Sequence, residues 1–296
     1  MIKSFFESNN IIYKENVSLK NFNTYKVDTT CSYLVYPNNV EELILILKEL
    51  KKRQIKYLIL GNGSNIILSM EHYDGVIIKL DNLCKVEYQD NIVTAEAGYP
   101  LIKLAIETID KGLSGLTFAA GIPGLVGAST AMNAGAYNSD MSTVVKSVKV
   151  LNDKLEVITL TNKELEYSYR DSFLKRHKDY IVLSTTFELE QGDKETMKIQ
   201  IEERRKKRLA SQPLNMPNAG SVFRNPENMY AGELIEKLNL KGYSIGGAQV
   251  SEKHANFIVN TGNATGQDII NLINEVEKKV KKEYDVELKL EQIIVE

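Results

Sequence analysis

Residues 119–128 read Ala119-Ala120-Gly121-Ile122-Pro123-Gly124-Leu125-Val126-Gly127-Ala128, and Asn133-Ala134-Gly135-Ala136-Tyr137 follows. Six of the chain's 18 glycines fall between Gly112 and Gly135. Glycine and alanine lack bulk, so the backbone here can approach a large planar or phosphorylated ligand closely. Without a ligand to fill the space, so long a run of small side chains would bury little apolar surface. A second turn, Gly61-Asn62-Gly63-Ser64-Asn65, lies between the strand-like runs Ile55–Leu60 and Ile66–Leu68. It lacks the third glycine and the following helix of the dinucleotide fingerprint. Two readings stand for it: a nest of backbone N–H groups that holds an anion, or a plain tight hairpin. Two backbone-donor turns without a Walker lysine point to a dinucleotide held by main chain across two lobes. FAD and NAD both satisfy that description.

Composition narrows the class. The 296 residues carry 37 basic and 39 acidic side chains, and 43% are hydrophobic, the balance of an ordinary globular protein. The length is a prior for about two domains. No apolar run approaches the roughly 18–20 residues of a membrane span, and Met1–Asn10 lacks the apolar core of a signal peptide. Cys31 and Cys84 form neither a CxxC pair nor a disulfide framework, so a reducing cytoplasm is the expected compartment. His72, His177 and His254 are too scattered for zinc spacing, and no metal is expected.

The elements alternate informatively. Asn39 with Glu42 offers a helix start, and Leu43, Ile46, Leu47 and Leu50 recur at helical spacing. Gly75–Leu80 reads as a strand, Lys85–Tyr88 and Ile92–Ala95 as a hairpin, and Pro100 to Gly112 as a helix. Val144–Leu151 and Leu155–Leu160 form a second predicted hairpin, Tyr180–Leu189 a strand, and Lys194–Leu209 a charged helix. Beyond a boundary loop at Ser211–Ala219 come a helix (Ala231–Asn239), a strand (Ala255–Val259), a long helix to Tyr284 and a strand-like run, Val286–Val295. Strands joined both by hairpins and by helices indicate an α+β chain.

Several segments resemble the bacterial UDP-N-acetylenolpyruvoylglucosamine reductase family, in that family's order and over nearly the whole chain. They are Asn23-Thr24-Tyr25, Gly61–Asn65, Ala120–Gly127, Asn133–Tyr137, Tyr169-Arg170-Asp171-Ser172, Gln212–Pro226 and Gly242–Asn260. The glycine turns match many flavoproteins, whereas NAGSVFRNP and GGAQVSEKHANFIVN are specific to the reductases. The likeness is to the shorter subtype, which lacks an extra tyrosine-bearing loop.

The resemblance implies a two-lobed FAD-binding region of the vanillyl-alcohol-oxidase/PCMH type plus a smaller α+β substrate lobe. Residues 1–85 with 286–296 would form the first lobe and 86–205 the second, with FAD between them, and 211–285 the substrate domain. It implies bound FAD, NADPH as co-substrate, and reduction of UDP-N-acetylglucosamine enolpyruvate to UDP-N-acetylmuramate for cell-wall precursor synthesis. FAD would be held by Gly61, Asn62, Gly63, Ser64 and Asn65, and by Gly121, Ile122, Pro123, Gly124, Gly127 and Ala128. Asn133, Ala134, Gly135 and Ala136 complete that set.

Ser221 would protonate the enolic carbon, Arg170 would clamp the substrate carboxylate, and Glu291 would hydrogen-bond the same group. Arg224, Asn225, Tyr169 and Arg208 would bind the rest of the sugar nucleotide. Taken singly, each has a plainer reading: Ser221 as a turn residue, Arg170 on a solvated strand face, Glu291 on the surface. This sequence departs from the family after Tyr25, where paired glycines are usual, at Ser211, where lysine is common, and at Gln292 and Ile293.

The basic run Arg204–Arg208 raises nucleic-acid binding, but spacing pairs Glu202 with Lys206 and Glu203 with Lys207 on a solvated face. No nucleic acid or membrane partner is expected, and the chain is expected to act as a monomer. His254 has two readings, near the flavin or satisfied at a strand start, and both cysteines are expected to be packed.

Overall fold

The computed structural model describes residues 2–296 and divides into two compact units. Unit 1 comprises residues 2–15, Tyr33–Gly61 and Gly75–Arg205; unit 2 comprises Asn16–Ser32, Asn62–Asp74 and Lys206–Glu296. Within each, hairpins and helices both join strands, the α+β arrangement.

Unit 1 is built on a five-stranded antiparallel sheet in the order Val157–Thr161, Val145–Leu151, Ile181–Glu188, Ile92–Glu96, Val86–Gln89. The outer pair is a hairpin whose register Gln89↔Ile92 leaves Asp90 and Asn91 in the loop, with Asp90 at φ +52°. Val148, Val150, Ile181, Leu183 and Phe187 bury the sheet's inner side chains. The small-residue helix Val126–Ala131 packs on this sheet, and Thr130 Oγ1 meets Thr185 Oγ1 at 2.8 Å. Two burial facts fix that helix: Gly127 N–H donates to the Ala97 carbonyl at 2.9 Å, and a Cβ on Gly127 would lie 2.7 Å from the Ala97 Cβ.

Elsewhere in unit 1 the helix Val40–Lys52 starts as its sequence predicts. Asn39 Oδ1 accepts from Glu42 N–H at 2.8 Å, and Leu43, Ile46, Leu47 and Leu50 are buried. Strand Tyr57–Ile59 runs parallel to the Val76–Ile78 end of strand His72–Ile78.

Unit 2 has its own core, including Tyr25, Ile67, Val222, Phe223, Leu272 and Val276. Its helix Gly266–Tyr284 opens with a capping box between Thr265 and Asp268, which also holds the Asp268 carboxyl below the usual carboxylate range. A three-stranded antiparallel sheet is formed by Ser244–Ile245, Ala248–Val250 and Ile258–Asn260. Of the predicted C-terminal strand only Ile293–Val295 forms, parallel to Ile66–Leu68.

Two local expectations are corrected. Gly61–Asn65 is not a hairpin: the flanking strands Tyr57–Ile59 and Ile66–Leu68 belong to different sheets. Cys31 is buried but Cys84 is exposed.

Candidate active site

Carbonyl groups dictate what the first glycine turn can hold. In unit 1 the buried Lys79 donates from Nζ to the Gly61 carbonyl at 2.6 Å, and a Cβ on Gly61 would sit 3.5 Å from the Ala128 Cβ. In unit 2 the Gly63 carbonyl accepts from Thr24 N–H at 3.1 Å, and the Asn65 carbonyl accepts from Ile293 N–H at 2.9 Å. A planar trans peptide sets its N–H opposite its C=O. The Asn62 and Ser64 N–H groups therefore aim away from Lys79 and Thr24 respectively. Gly63 is obligatory, with φ +62° and a would-be Cβ 2.3 Å from the Phe22 carbonyl oxygen.

Asn23-Thr24-Tyr25 builds the support for that turn. Asn23 is buried, its amide donates to the Leu19 and Val27 carbonyls, and its Oδ1 accepts from Val27 N–H. Lys26 takes φ +58°, the conformation that the absent glycines would reach without strain.

In unit 1 the second glycine-rich segment leaves Gly121, Ile122, Pro123 and Gly124 accessible and Ala128 exposed. Their small or backbone-only surface suits close approach of a ring or diphosphate, so these residues fit a flavin dinucleotide. Asn133 is different, being buried at φ +46°. Its amide donates to the Ser168 carbonyl at 2.8 Å and to Asp140, and its Oδ1 accepts from Ser142 N–H. Gly135 and Ala136 pair with Ser139 and Asp140 around Tyr137 and Asn138, both at positive φ. A Cβ on Gly135 would meet the Ser139 carbonyl at 2.5 Å.

Arg170 does not lie on a strand face. Ser168 and Asp171 exchange main-chain hydrogen bonds at 3.1 Å, closing a two-residue turn at Tyr169-Arg170 with Arg170 at φ +56°. Its Nη2 donates to the Gly135 carbonyl at 2.7 Å and its guanidinium lies over the Tyr169 ring at 5.3 Å. Ser172 ties the turn to the small-residue helix, donating from Oγ to the Ala131 carbonyl at 2.6 Å while capping helix Phe173–Arg176. A non-glycine residue in the left-handed region is uncommon and costs about 1–3 kcal/mol, a feature that clusters at functional sites.

The segments that carry Ser221 and Glu291 pair in unit 2. Phe223 bridges Leu290 in antiparallel register, Glu291 N–H donates to the Val222 carbonyl at 2.8 Å, and Arg224 N–H donates to the Lys289 carbonyl at 2.9 Å. Gly220, at φ +77°, turns the chain just before the half-buried Ser221. Arg224 follows on the same segment with a buried Nε that no group of the described residues accepts. Asn225 is exposed, and its Oδ1 accepts from Ala231 N–H at 3.2 Å. Arg208 donates from Nε to Gln212 Oε1 at 3.1 Å. In unit 1, Tyr169 is 53% exposed.

Sequence reasoning missed Asn256 and Asn218. Asn256 Oδ1 accepts from Phe223 N–H at 3.0 Å and its Nδ2 donates to the Phe223 carbonyl at 2.8 Å, so one side chain replaces a strand neighbour. Asn218 Oδ1 accepts from Gly220 N–H at 3.0 Å. A buried asparagine inside a run that reads as a strand was the available signal.

His254 Nδ1 accepts from Asn256 N–H at 3.2 Å, and burial lowers the imidazole pKa. The basic helix face is solvated as expected, although Glu202 pairs with Arg205 at 3.2 Å three residues on, not with Lys206. Among the described residues no cluster of three metal-ligating side chains occurs, and no helix is long and apolar enough to cross a membrane.

Comparison with known proteins shows the family. Residues 31–161 match an FAD-binding domain family, and residues 212–295 match the C-terminal domain of UDP-N-acetylenolpyruvoylglucosamine reductase. The reductase of that name from Bacillus subtilis (strain 168) is 41% identical over 281 residues, 95% of this chain and 93% of its own length. That from Caldanaerobacter subterraneus is 43% identical over 280 residues, 95% of this chain and 92% of its own. The crystal structure of the Thermus caldophilus reductase (MurB) superposes with a TM-score of 0.82 at 30% identity, covering 97% of this chain and 100% of that one. This chain belongs to the UDP-N-acetylenolpyruvoylglucosamine reductase family.

Proposed function

We propose that this chain uses NADPH and FAD to reduce UDP-N-acetylglucosamine enolpyruvate to UDP-N-acetylmuramate, with Ser221 as proton donor. The observation that carries the proposal is the pairing of the Ser221–Arg224 segment with Lys289–Glu291 through an isolated bridge and two main-chain hydrogen bonds, so the residues that carry the hydroxyl and the carboxyl lie on adjoining segments. Gly121–Gly124 and Ala128 are among the residues that would hold FAD, which would supply hydride-transfer chemistry between NADPH and the enolpyruvyl double bond.

The residues of the chain handle charge and protons. Arg170 binds the substrate carboxylate as negative charge spreads onto it, its planar fork being suited to bidentate contact. Glu291 hydrogen-bonds the same carboxylate. Ser221 Oγ gives its proton to the enolic carbon. A hydroxyl is a weak acid, so the donor works only where the departing charge is stabilised. Arg224, Asn225, Tyr169 and Arg208 bind the nucleotide and its diphosphate. Cytoplasmic location and a monomeric state belong to the same reading.

The test separates the half-reactions. Ser221→Ala should reduce its flavin with NADPH at a rate near the wild type. Its reoxidation by the enolpyruvyl nucleotide should fall by roughly 10²-fold or more, the scale of a lost general acid. Equal losses in both half-reactions would make Ser221 structural.

A further inference from the structure

Gln292 is 4% exposed and makes three side-chain hydrogen bonds. Its Nε2 donates to the carbonyls of Ala219 at 3.1 Å and Gly220 at 3.3 Å, and its Oε1 accepts from the Tyr25 hydroxyl at 3.0 Å. Only one orientation of the amide satisfies all three partners. Two carbonyls require the NH₂ group, so the amide oxygen faces Tyr25 and the phenol must be the donor. Tyr25 is fully buried, and burial pushes its ionisation well above the ordinary phenol value, so that donor persists. The Tyr25 main chain is anchored as well, its carbonyl accepting from Asn260 Nδ2 at 2.8 Å.

The two carbonyls that Gln292 holds are those immediately before Ser221. At Gly220 itself no side chain packs: the residue sits at φ +77° with nothing within 4 Å of a would-be Cβ, although Ala219 and Val222 beside it are buried. Hydrogen bonds fix its main chain. Asn218 Oδ1 takes the Gly220 N–H, Gln292 takes the two carbonyls, and beyond Ser221 the Val222 carbonyl is taken by Glu291 N–H.

We propose that Gln292, oriented by Tyr25, is a positioning residue that fixes the Ser221 hydroxyl for proton delivery. The inference rests on the reading of Ser221 as proton donor. Misplacing a reacting group by about 1 Å costs on the order of 10²-fold. Gln292→Met keeps the length and bulk and removes the amide. It should slow substrate-driven flavin reoxidation by roughly 10- to 100-fold. Flavin reduction by NADPH and the KM for the enolpyruvyl nucleotide should stay within about twofold of the wild type, inside the scatter of unperturbed steps. Tyr25→Phe keeps the ring and loses only the orienting hydroxyl, so the same step should slow by a smaller factor; it carries the test if Gln292→Met does not fold.

The double variant Gln292→Met/Ser221→Ala decides the route. It should reoxidise no more slowly than Ser221→Ala alone, because nothing remains to be positioned. Multiplying losses, or wild-type reoxidation in Gln292→Met and Tyr25→Phe while Ser221→Ala is crippled, would overturn the positioning role alone. Wild-type reoxidation in Ser221→Ala would overturn the proton-donor reading, and the inference with it.

Discussion

Asn256 offers the sharpest test of how the Ser221 segment is held. It is 5% exposed and supplies both a donor and an acceptor to Phe223, two residues beyond Ser221. Asn256→Ala strands a buried backbone N–H and a buried carbonyl at once. Each costs about 1–3 kcal/mol, so the expected loss is about 2–6 kcal/mol. Asn256→Asp keeps the acceptor but turns an anionic oxygen toward the Phe223 carbonyl. Burial should raise that carboxyl above its unfolded value of about 3.9, because the charged form is penalised. Its protonated form can donate to the carbonyl as the amide did. The sign follows: the stabilising neutral form is fully present below about pH 3.9 and is lost as pH rises through the folded pKa. Urea denaturation at fixed flavin concentration, followed by tyrosine fluorescence, would measure both variants against the wild type at pH 7 and pH 5. Asn256→Asp should show a smaller deficit at pH 5. A loss below about 1 kcal/mol for Asn256→Ala, under the cost of one stranded group, would refute the bridging role, as would a pH-independent deficit in Asn256→Asp.

Three further outcomes follow from the same geometry. Gly63→Ala should cost more than about 3 kcal/mol, since the left-handed strain adds to a collision with the Phe22 carbonyl, and it should lower the flavin content of the purified protein. Gly220→Ala, equally left-handed but facing open space, should cost only about 1–2 kcal/mol in the same denaturation assay. His254, whose pKa burial depresses below 6.5, should contribute stability that is present above that value and lost as pH falls through the folded pKa; His254→Gln should flatten that slope.

What the sequence made legible was whatever short-range chemistry encodes. Helix Val40–Lys52 follows from Asn39, Glu42 and a four-residue apolar face, and the Val86–Gln89/Ile92–Glu96 hairpin from alternation around a polar loop. The family motifs single out the segments that carry Ser221 and Arg170. Partners distant in sequence were not legible. Val286–Val295 reads as one strand, yet only Ile293–Val295 forms one, beside Ile66–Leu68, while Lys289–Glu291 meet Val222–Arg224 through an isolated bridge and single hydrogen bonds. Arg170 reads as a strand residue because alternation says nothing of the Ser168–Asp171 closure that forces it left-handed. Asn256 reads as one polar residue in a strand, while its value lies in a backbone 33 residues away.

Anaerobic turnover by the purified protein tests the central claim most directly. A flavin absorption spectrum should be present, and NADPH oxidation should require UDP-N-acetylglucosamine enolpyruvate and yield a product heavier by two hydrogens. A colourless protein that takes up no added FAD would contradict the account, as would NADPH oxidation indifferent to that nucleotide.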